Sequence, residues 1–289
     1  MTASSAPGAA SPDMAALEAA LANGQFVLHY QPIFVLSTRR VIGVEALVRW
    51  QQPERLVPPD DFLPVAEATG FITTLGDWAL REAARQLLLW DEGGLRLNYV
   101  SVNVSPVQLQ DDAYADSVLA AITDTGIEPG RVLLEITESV SIADAERAAA
   151  ALNWLARVGA RVALDDFGTG SSNLASFQRL PLAVLKIDRS FVNHIMESAR
   201  DRSIVQFVTG LAKANGLATV AEGIETQEQL DVLTGLGGDY GQGWLVSKAL
   251  APDALLTAFE SGRLVANSPT RQMLERSERF AIERTGKPF

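Results

Sequence analysis

Asp165 and Asp166 are adjacent carboxylates that close the apolar run 161–164 and are followed by Phe167-Gly168-Thr169-Gly170. At a separation of ~4 Å and an effective dielectric of ~20, two like charges repel by about 4 kcal/mol. The glycines let the backbone turn and approach a ligand closely. A divalent metal at a strand end would therefore explain both the paired carboxylates and the glycines that follow them. The alternative is a capped turn in which Asp166 accepts amide hydrogen bonds at the start of a helix.

Polar side chains also follow nearly every other apolar run of the chain. They are Glu45, Asn103, Glu135, Lys186, Asp188, Glu222 and Gln242, with Arg49 four residues after Glu45 and Glu138 just beyond Glu135. Each has an ordinary alternative: Glu45 and Glu222 as solvated rim charges, Asn103 as a turn former, Lys186 as an ion-pair partner, and Gln242 as a loop residue. Their recurrence at one strand end after another favours a shared polar site.

This set of residues meets the needs of metal-assisted phosphoryl chemistry. Two divalent ions ~3.5–4 Å apart need a bridging carboxylate and further ligands on each side. One ion could be held by Glu45, Asn103, Glu135 and Asp165, and the second by Asp165 bridging to Asp166. Lys186 is suited to bind or polarise the attacking water, and Arg49 offers a bidentate fork to a phosphate oxygen.

Strand-like and helix-like segments alternate along the chain and would position these residues. Strands are predicted at 26–30, 41–47, 99–104, 132–136, 161–164, 184–187, 218–220 and, more weakly, 239–241. Helices are predicted at 14–23, 60–69, 77–90, 112–125, 143–158, 174–178, 202–215 and 227–233. Such alternation implies right-handed crossovers and a parallel sheet, and seven or eight units over ~235 residues fit a barrel.

The first two predicted strands are an exception to this pattern. Their connection, which contains residues 37–40, is too short for a crossover, so the strands should be antiparallel. We therefore expect an α/β fold, a modified TIM (β/α)8 barrel with one antiparallel strand near its start.

Composition narrows the classes of function. The chain has 289 residues, of which 47% are hydrophobic, and this is ample for a large core. A net charge of -11 argues against nucleic acid as a bulk electrostatic partner. Cysteine is absent and only two histidines are present, so a metal site must rely on oxygen ligands, which favours Mg²⁺ or Mn²⁺ over zinc. No apolar run approaches the ~20 residues of a membrane span.

Three regions follow from the sequence. Residues 1–13 are rich in Ala, Ser and Pro and predict a disordered lead or linker, not a signal peptide. Residues 14–262 predict the barrel domain. Residues 263–289 form a charged C-terminal tail, in which 268–285 is expected to be either one amphipathic helix or a partly ordered connector.

The run Glu45-Ala46-Leu47-Val48-Arg49 resembles the signature of EAL-domain cyclic-di-GMP phosphodiesterases. The resemblance extends over roughly residues 16–260. Its other motifs are Tyr30-Gln31-Pro32-Ile33, Ser101-Val102-Asn103-Val104-Ser105-Pro106, Leu134-Glu135-Ile136-Thr137-Glu138-Ser139, the segment from Asp165 through Gly170, Leu185-Lys186-Ile187-Asp188, Ala221-Glu222-Gly223-Ile224-Glu225 and Gln242-Gly243.

The resemblance implies a hydrolase that linearises cyclic-di-GMP to pGpG with two Mg²⁺ or Mn²⁺ ions and that Ca²⁺ inhibits. It implies metal ligation by Glu45, Asn103, Glu135, Asp165, Asp166, Glu222 and Gln242, and catalytic roles for Lys186, Glu222 and Asp166. Contacts with the dinucleotide fall on Gln31, Leu47, Arg49 and Asp188. Glu138 is similar to the residue that steadies the loop 165–170.

The same resemblance implies a homodimer. We expect a cytoplasmic location, either of a separate protein or of the cytoplasmic portion of a larger, membrane-tethered one, and the Ala/Ser/Pro composition of the lead suggests a sensor or diguanylate cyclase domain in a longer parent. A non-hydrolysing cyclic-di-GMP receptor is the main alternative, although such receptors usually show eroded ligand positions and every position is intact here. A third possibility is an unrelated Mg²⁺-dependent barrel that acts on carbon acids, which would not need Gln31, Arg49 and Asp188.

Overall fold

A nine-stranded sheet forms the centre of the protein in a computed structural model that describes residues 12–137, 145–168 and 179–266. The strands are β1 Phe26–Val35, β2 Val41–Gln51, β3 Leu56–Val57, β4 Tyr99–Val104, β5 Val132–Thr137, β6 Arg161–Phe167, β7 Leu182–Ile187, β8 Ala218–Ala221 and β9 Tyr240–Gly241. Their order is β1-β9-β8-β7-β6-β5-β4-β2-β3, and β1 also pairs with β2. Eight strands therefore close into a barrel, and β3 extends from β2.

The direction of β1 distinguishes this barrel from a regular one. Strand β1 pairs antiparallel with both β2 and β9, whereas β2, β4, β5, β6, β7, β8 and β9 pair with one another in parallel. The β1–β2 connection is a tight turn in which the Val35 amide donates to the Arg40 carbonyl (2.9 Å). The predicted modified barrel with an antiparallel strand near its start is confirmed.

Nine α-helices lie within the described residues. They are α1 Met14–Ala22, α2 Leu63–Thr69, α3 Phe71–Glu92, α4 Tyr114–Thr125, α5 Ala145–Arg157, α6 Arg189–Asn193, α7 Ala199–Ala214, α8 Gln227–Gly235 and α9 Pro252–Glu260. Helices α6 and α9 were not predicted, and neither was strand β3. The predicted helices at 174–178 and 268–285 fall outside the described residues.

Helix α3 begins six residues before the predicted start at Asp77. Gly70 adopts a left-handed conformation (φ 77°) that ends α2, so that Phe71 can open a new helix. Phe71 then packs with Phe26 and Phe62 in a buried aromatic cluster beneath α1 and α2. Tertiary burial of this cluster outweighs the two glycines that weaken the helical pattern before residue 77.

Apolar side chains fill the lower half of the barrel interior, among them Ile33, Ile42, Tyr99, Leu133, Ala163, Val184 and Val220. Side chains alternate between the two faces of a strand. Residues two positions further toward the carboxyl ends therefore face the same interior: Ser101, Glu135, Asp165, Lys186 and Glu222. Above its apolar plug, the barrel is lined by polar and charged groups.

Ordered contacts extend just beyond both ends of the predicted domain, from residue 13 to helix α1 and from residue 265 to strand β2. Asp13 caps α1 by accepting a hydrogen bond from the Ala16 amide (2.9 Å). The Val41 amide donates to the Val265 carbonyl (2.8 Å), and Leu264 is buried. Within the described residues, no helix is both long and apolar enough to cross a membrane.

Candidate active site

Lys186 on β7 lies at the centre of the polar end of the barrel. Its Nζ is 2.5 Å from Glu135 Oε2, 2.6 Å from Glu222 Oε1 and 3.0 Å from Asp165 Oδ2. Glu45 Oε2 lies further away at 3.8 Å. The lysine side chain is only 1% exposed, so this ion-pair cluster is shielded from solvent. Residues separated by up to 177 positions in the chain (45 to 222) thus meet at one ammonium group.

Two side-chain amides complete the ring around this cluster. Asn103 Nδ2 donates to Glu45 Oε1 (2.8 Å), and Gln242 Nε2 donates to Glu45 Oε2 (2.8 Å) and to Glu222 Oε1 (3.2 Å). We call Glu45, Asn103, Glu135, Asp165, Lys186, Glu222 and Gln242 the acidic ring. The structure brings these sequence-predicted residues together, and their individual roles stay predictions.

Opposing influences set the pKa of Glu45 and Lys186. Burial by itself would raise the pKa of Glu45, but the positive charge of Lys186 and the hydrogen bonds from Gln242 and Asn103 hold it below its ordinary value. Burial would lower the pKa of Lys186, yet Glu135, Glu222, Glu45 and Asp165 together raise it well above the ordinary value. Lys186 is therefore an ammonium ion at neutral pH, and Glu45 is a carboxylate.

In contrast to Glu45, Glu135 and Glu222 have a raised pKa, because burial outweighs the attraction of Lys186. Burial raises the pKa of Glu135 well above its ordinary value, and repulsion from Glu45 and Asp165 adds to this despite the attraction of Lys186. Burial likewise raises the pKa of Glu222 to about 7, with repulsion from Asp165 and Glu45 contributing. The single ammonium group thus leaves negative charge in the ring incompletely compensated, and an added cation would relieve that repulsion.

Two buried acceptor atoms also suit the ring to a cation. Glu135 Oε1 and Gln242 Oε1 have no hydrogen-bond partner within the described residues. Such unpaired buried oxygens are costly unless a ligand or ion satisfies them. In residues 12–137, 145–168 and 179–266, no group of three or more acidic or histidine side chains is arranged to hold a metal ion as it stands. The carboxylates converge on Lys186 Nζ instead, and the oxygen-rich donor set is of the kind that Mg²⁺ and Mn²⁺ prefer.

The two adjacent aspartates take different directions. Asp165 faces Lys186 and also accepts a hydrogen bond from the Asp166 amide (2.8 Å) through Oδ1. Asp166 has a left-handed backbone (φ 55°), uncommon for a residue with a Cβ, and its side chain is hydrogen-bonded with Asp188. Burial, then repulsion from Asp165 and Asp188, raises the pKa of Asp166. The predicted pair of neighbouring acids is present, but only Asp165 belongs to the ring.

Asp188 also caps helix α6. Its Oδ1 accepts from the Ser190 amide (3.0 Å) and the Ser190 hydroxyl (2.5 Å). Gly223 allows α6 to lie close to the end of β8, because a Cβ there would come 2.7 Å from the Cβ of Arg189. This packing fixes Asp188 and Asp166 beside the acidic ring.

The remaining predicted substrate contacts lie on β1 and β2 along one side of the ring. Gln31 is opposite Glu45 in the register and donates weakly to the Ser247 carbonyl (3.5 Å), while Leu47 lies opposite His29. Half-buried Arg49 donates to the Val48 carbonyl (2.8 Å) and makes no salt bridge with any described residue. Its guanidinium therefore keeps donors available for an anion.

A hydrogen-bonded loop follows Asn103 at the end of β4. The buried Gln108 side chain accepts from the Ser105 amide (3.0 Å), and the Ser105 hydroxyl donates to Glu67 of α2 (2.7 Å). Gly76 of α3 makes room for this arrangement, because any Cβ there would overlap the Gln108 amide. No local sequence pattern predicts this arrangement, since it joins segments distant in the chain.

Ser101 is a site residue that the sequence analysis missed. It is fully buried on β4, two positions before Asn103, and its hydroxyl has no hydrogen-bond partner within the described residues. The period-two alternation of a strand would have placed it below Asn103 in the barrel interior. Glu138, predicted to steady the loop 165–170, lies outside the described residues.

The chain is similar to a known family and to individual members of it. A family model described as "EAL domain" matches residues 14–249. The bifunctional diguanylate cyclase/cyclic di-GMP phosphodiesterase MucR of Pseudomonas aeruginosa is 41% identical over 243 residues, 84% of this chain and 36% of that protein. Cyclic di-GMP phosphodiesterase PdeR of Escherichia coli is 37% identical over 235 residues, 81% of this chain and 35% of that protein. The chain spans about a third of the length of these curated relatives.

A solved structure supports the same likeness. The structure described as "PaMucR Phosphodiesterase, c-di-GMP complex" superimposes with a TM-score of 0.79 at 41% sequence identity. The match covers 83% of this chain and 97% of that one. The matched family region, 14–249, includes every strand of the barrel and every member of the acidic ring.

Proposed function

This chain belongs to the EAL domain family, and from that premise we propose that it hydrolyses cyclic-di-GMP to linear pGpG with two divalent cations, Mg²⁺ or Mn²⁺. The observation that carries the proposal is the acidic ring around Lys186 at the carboxyl ends of the barrel strands. Relatives named as cyclic di-GMP phosphodiesterases and a related structure in complex with c-di-GMP support the choice of substrate.

The acidic ring and Asp166 together would supply ligands for both cations. One would be held by Glu45, Asn103, Glu135 and Asp165, and the other by Asp165 with Asp166, while Glu222 and Gln242 complete the shell. When bound, the cations supply a water of lowered pKa and neutralise charge on the phosphate oxygens. The unpaired buried oxygens of Glu135 and Gln242 support this assignment.

Lys186 would orient the attacking water and stabilise charge that develops on the phosphoryl group. In the metal-free protein the neighbouring carboxylates raise the pKa of Lys186, so it is a buried ammonium that donates hydrogen bonds. Glu222, which contacts Lys186, and Asp166, which follows Asp165 in the chain, are proposed to share in positioning that water. Attack on phosphorus breaks the bond to the 3′-oxygen, which leaves as a hydroxyl after taking up a proton, so the product carries a 5′-phosphate.

Four residues are proposed to hold the dinucleotide beside the ring: Gln31, Leu47, Arg49 and Asp188. The guanidinium of Arg49, which makes no salt bridge with any described residue, suits a phosphate oxygen, and it offsets the repulsion that an acidic protein exerts on an anionic substrate. The remaining points stay predictions: the role of Glu138, formation of a homodimer, inhibition by Ca²⁺, a cytoplasmic location and regulatory domains in a longer parent.

Turnover of cyclic-di-GMP tests the proposal, with pGpG followed by chromatography in parallel reactions containing Mg²⁺, Mn²⁺, Ca²⁺ or EDTA. We expect conversion with Mg²⁺ or Mn²⁺ and none with Ca²⁺ or EDTA. Tight binding of cyclic-di-GMP without conversion under any condition would contradict the enzyme and point to a receptor.

A further inference from the structure

We infer that Lys186 is the internal counter-ion of the acidic ring in the metal-free protein, and that a divalent cation binds by displacing its ammonium group from the carboxylates. The inference rests on the proposed metal-dependent function, but it concerns a state that precedes catalysis. It predicts that Lys186 stabilises the metal-free fold and at the same time weakens metal binding.

The first observation is the number of acids that share one cation. Glu135, Glu222 and Asp165 each place an oxygen within 3.0 Å of Lys186 Nζ, and Glu45 lies at 3.8 Å. Within the part of the chain that the structure describes, these carboxylates form salt bridges with no other Lys, Arg or His. Among the described residues, the ring therefore has a single ammonium group in direct contact with its acids, and Arg49 adds a weaker attraction to Glu45 from further away.

The second observation is burial. Lys186 and Glu135 are each 1% exposed and Glu45 is 7% exposed, so water cannot solvate their charges. Buried carboxylates without a compensating cation are strongly destabilising, and removing one partner of a buried pair is costly for the same reason. Without Lys186, the metal-free barrel would hold its acids together only by protonating them or by opening the ring.

The third observation is the set of oxygens that Lys186 leaves unused. Glu135 binds the ammonium through Oε2 only, and its Oε1 has no partner within the described residues. Gln242 uses its amide nitrogen toward Glu45 and Glu222, and its Oε1 is likewise unpaired. A cation can first contact these free oxygens and then replace the ammonium at the shared ones, so binding is an exchange of cations.

Because the divalent cation replaces the ammonium group, Lys186 has opposite effects on the stability of the metal-free protein and on its affinity for metal. It lowers the free energy of the metal-free protein by pairing with the acids, and it competes with the incoming cation for the same oxygens. Replacing it by Met keeps a long, unbranched side chain in the buried position and removes only the charge and its donors. Lys186→Met should therefore destabilise the metal-free protein and tighten metal binding.

Mn²⁺ titrations and melting curves of the full chain test the inference without substrate. Free Mn²⁺ is measured by electron paramagnetic resonance to give Kd, and Tm is measured in EDTA and in excess Mn²⁺. For Lys186→Met we expect a lower Tm than wild type in EDTA, a larger rise of Tm on adding Mn²⁺, and a Kd lower by on the order of tenfold.

Arg131→Met is the matched control. Arg131 pairs with Asp91 at the opposite end of β5 and, at 17% exposure, is also a largely buried cation. Its loss should lower Tm in EDTA while leaving the Kd for Mn²⁺ and the Mn²⁺-induced rise of Tm as in wild type. Lys186→Arg, which retains the charge, should bind Mn²⁺ within about threefold of wild type.

The outcomes separate the two proposals. If wild type binds Mn²⁺ and Lys186→Met binds it with equal or weaker affinity, the counter-ion inference is overturned alone. If neither protein binds Mn²⁺ or Mg²⁺, the proposed function is overturned together with it. Should Lys186→Met be unfolded in EDTA, folding on addition of Mn²⁺ supports the inference; if it stays unfolded, Lys186→Gln decides by the same affinity criterion.

Discussion

Glu45 is the carboxylate on which both side-chain amides of the ring converge. Each of its oxygens accepts from an amide, Asn103 Nδ2 on one side and Gln242 Nε2 on the other, so the carboxylate is fixed in orientation. Burial without these partners would favour the neutral acid, yet its pKa is held below the ordinary value. A preorganised buried carboxylate of this kind is what a metal centre requires.

Glu45→Gln removes one negative charge and so tests the role of Glu45 as a metal ligand. A neutral amide is a poor ligand for Mg²⁺, so we expect turnover of cyclic-di-GMP to fall by on the order of 100-fold or more. Initial rates of pGpG formation measure the effect, and circular dichroism checks the fold. Glu82→Gln is the control, because it removes a carboxylate from an exposed pair with Arg85 and should leave the rate unchanged. Full activity of Glu45→Gln in excess metal would refute its assignment.

Arg49 is expected to contribute to substrate binding through geometry as well as charge. Arg49→Lys keeps the positive charge but loses the planar fork, and we expect kcat/KM to fall by roughly tenfold, mostly through KM. Steady-state kinetics at saturating Mn²⁺ measure this, with the exposed Arg85→Lys as control. A KM equal to that of wild type would mean that Arg49 does not contact the dinucleotide.

At the scale of elements, the end of β9 is positioned by a glycine. A Cβ at Gly243 would overlap the backbone nitrogen and oxygen of Ile224, and the Ile224 amide donates to the Gln242 carbonyl (3.1 Å). Because backbone atoms cannot move aside as a flexible side chain can, a larger residue must shift the strand that carries Gln242.

Gly243→Ala should therefore lower the free energy of unfolding by about 2 kcal/mol or more. Gly210→Ala is the matched control, because Gly210 is exposed in α7 with open space around it. There the same methyl should stabilise the protein by about 0.5–1 kcal/mol through helix propensity. Urea unfolding curves of both variants measure these effects, and equal stability of the two would contradict the proposed steric role.

The elements themselves were largely predictable from the sequence. Strands such as β4 and β5 are short, apolar and bounded by turn residues. Their parallel pairing brings their polar carboxyl ends to one face of the barrel, and this can be predicted without any measured distance. Helix α6 was missed because five residues give little periodicity, and it depends on the Asp188 cap. Strand β3 was missed because it is two residues long and is defined only by its pairing with β2.

Side-chain partnerships within the site were less predictable. Recurrence of polar residues at strand ends predicted that Glu45, Asn103 and Lys186 would meet, but it could not predict which carboxylates Lys186 contacts. The same applies to Asp166, whose left-handed backbone directs it toward Asp188 while Asp165 enters the ring. Such choices depend on contacts between segments remote in the chain, which no local pattern encodes.

At the scale of the whole molecule, closure of the barrel by β1 explains how the site is assembled. Strand β1 joins β2 to β9, and its register sets Gln31 opposite Glu45. The antiparallel direction of β1 was predicted from the short connection, but its pairing with β9 was not, because β9 has only two residues. The ring is therefore a property of the closed barrel and of no single segment.

Binding of metal to this closed state should stabilise the whole fold. An ion that binds only the native protein adds about 2.7 kcal/mol at a free concentration of 100 times its Kd. For a domain of this size we expect Mn²⁺ to raise Tm by several degrees, measured by calorimetry. Glu45→Gln should lose most of this rise, and an identical rise in both proteins would place the stabilising metal elsewhere.

Hydrolysis in oxygen-18 water with Mn²⁺ tests the central claim most directly, comparing wild type with Glu45→Gln by mass spectrometry of the nucleotides. We expect wild type to produce pGpG with one oxygen-18 in its 5′-phosphate, because water attacks phosphorus and the 3′-oxygen leaves, and we expect almost no product from the variant. Unchanged cyclic-di-GMP with wild type, or equal labelled product from both proteins, would contradict a phosphodiesterase centred on the acidic ring.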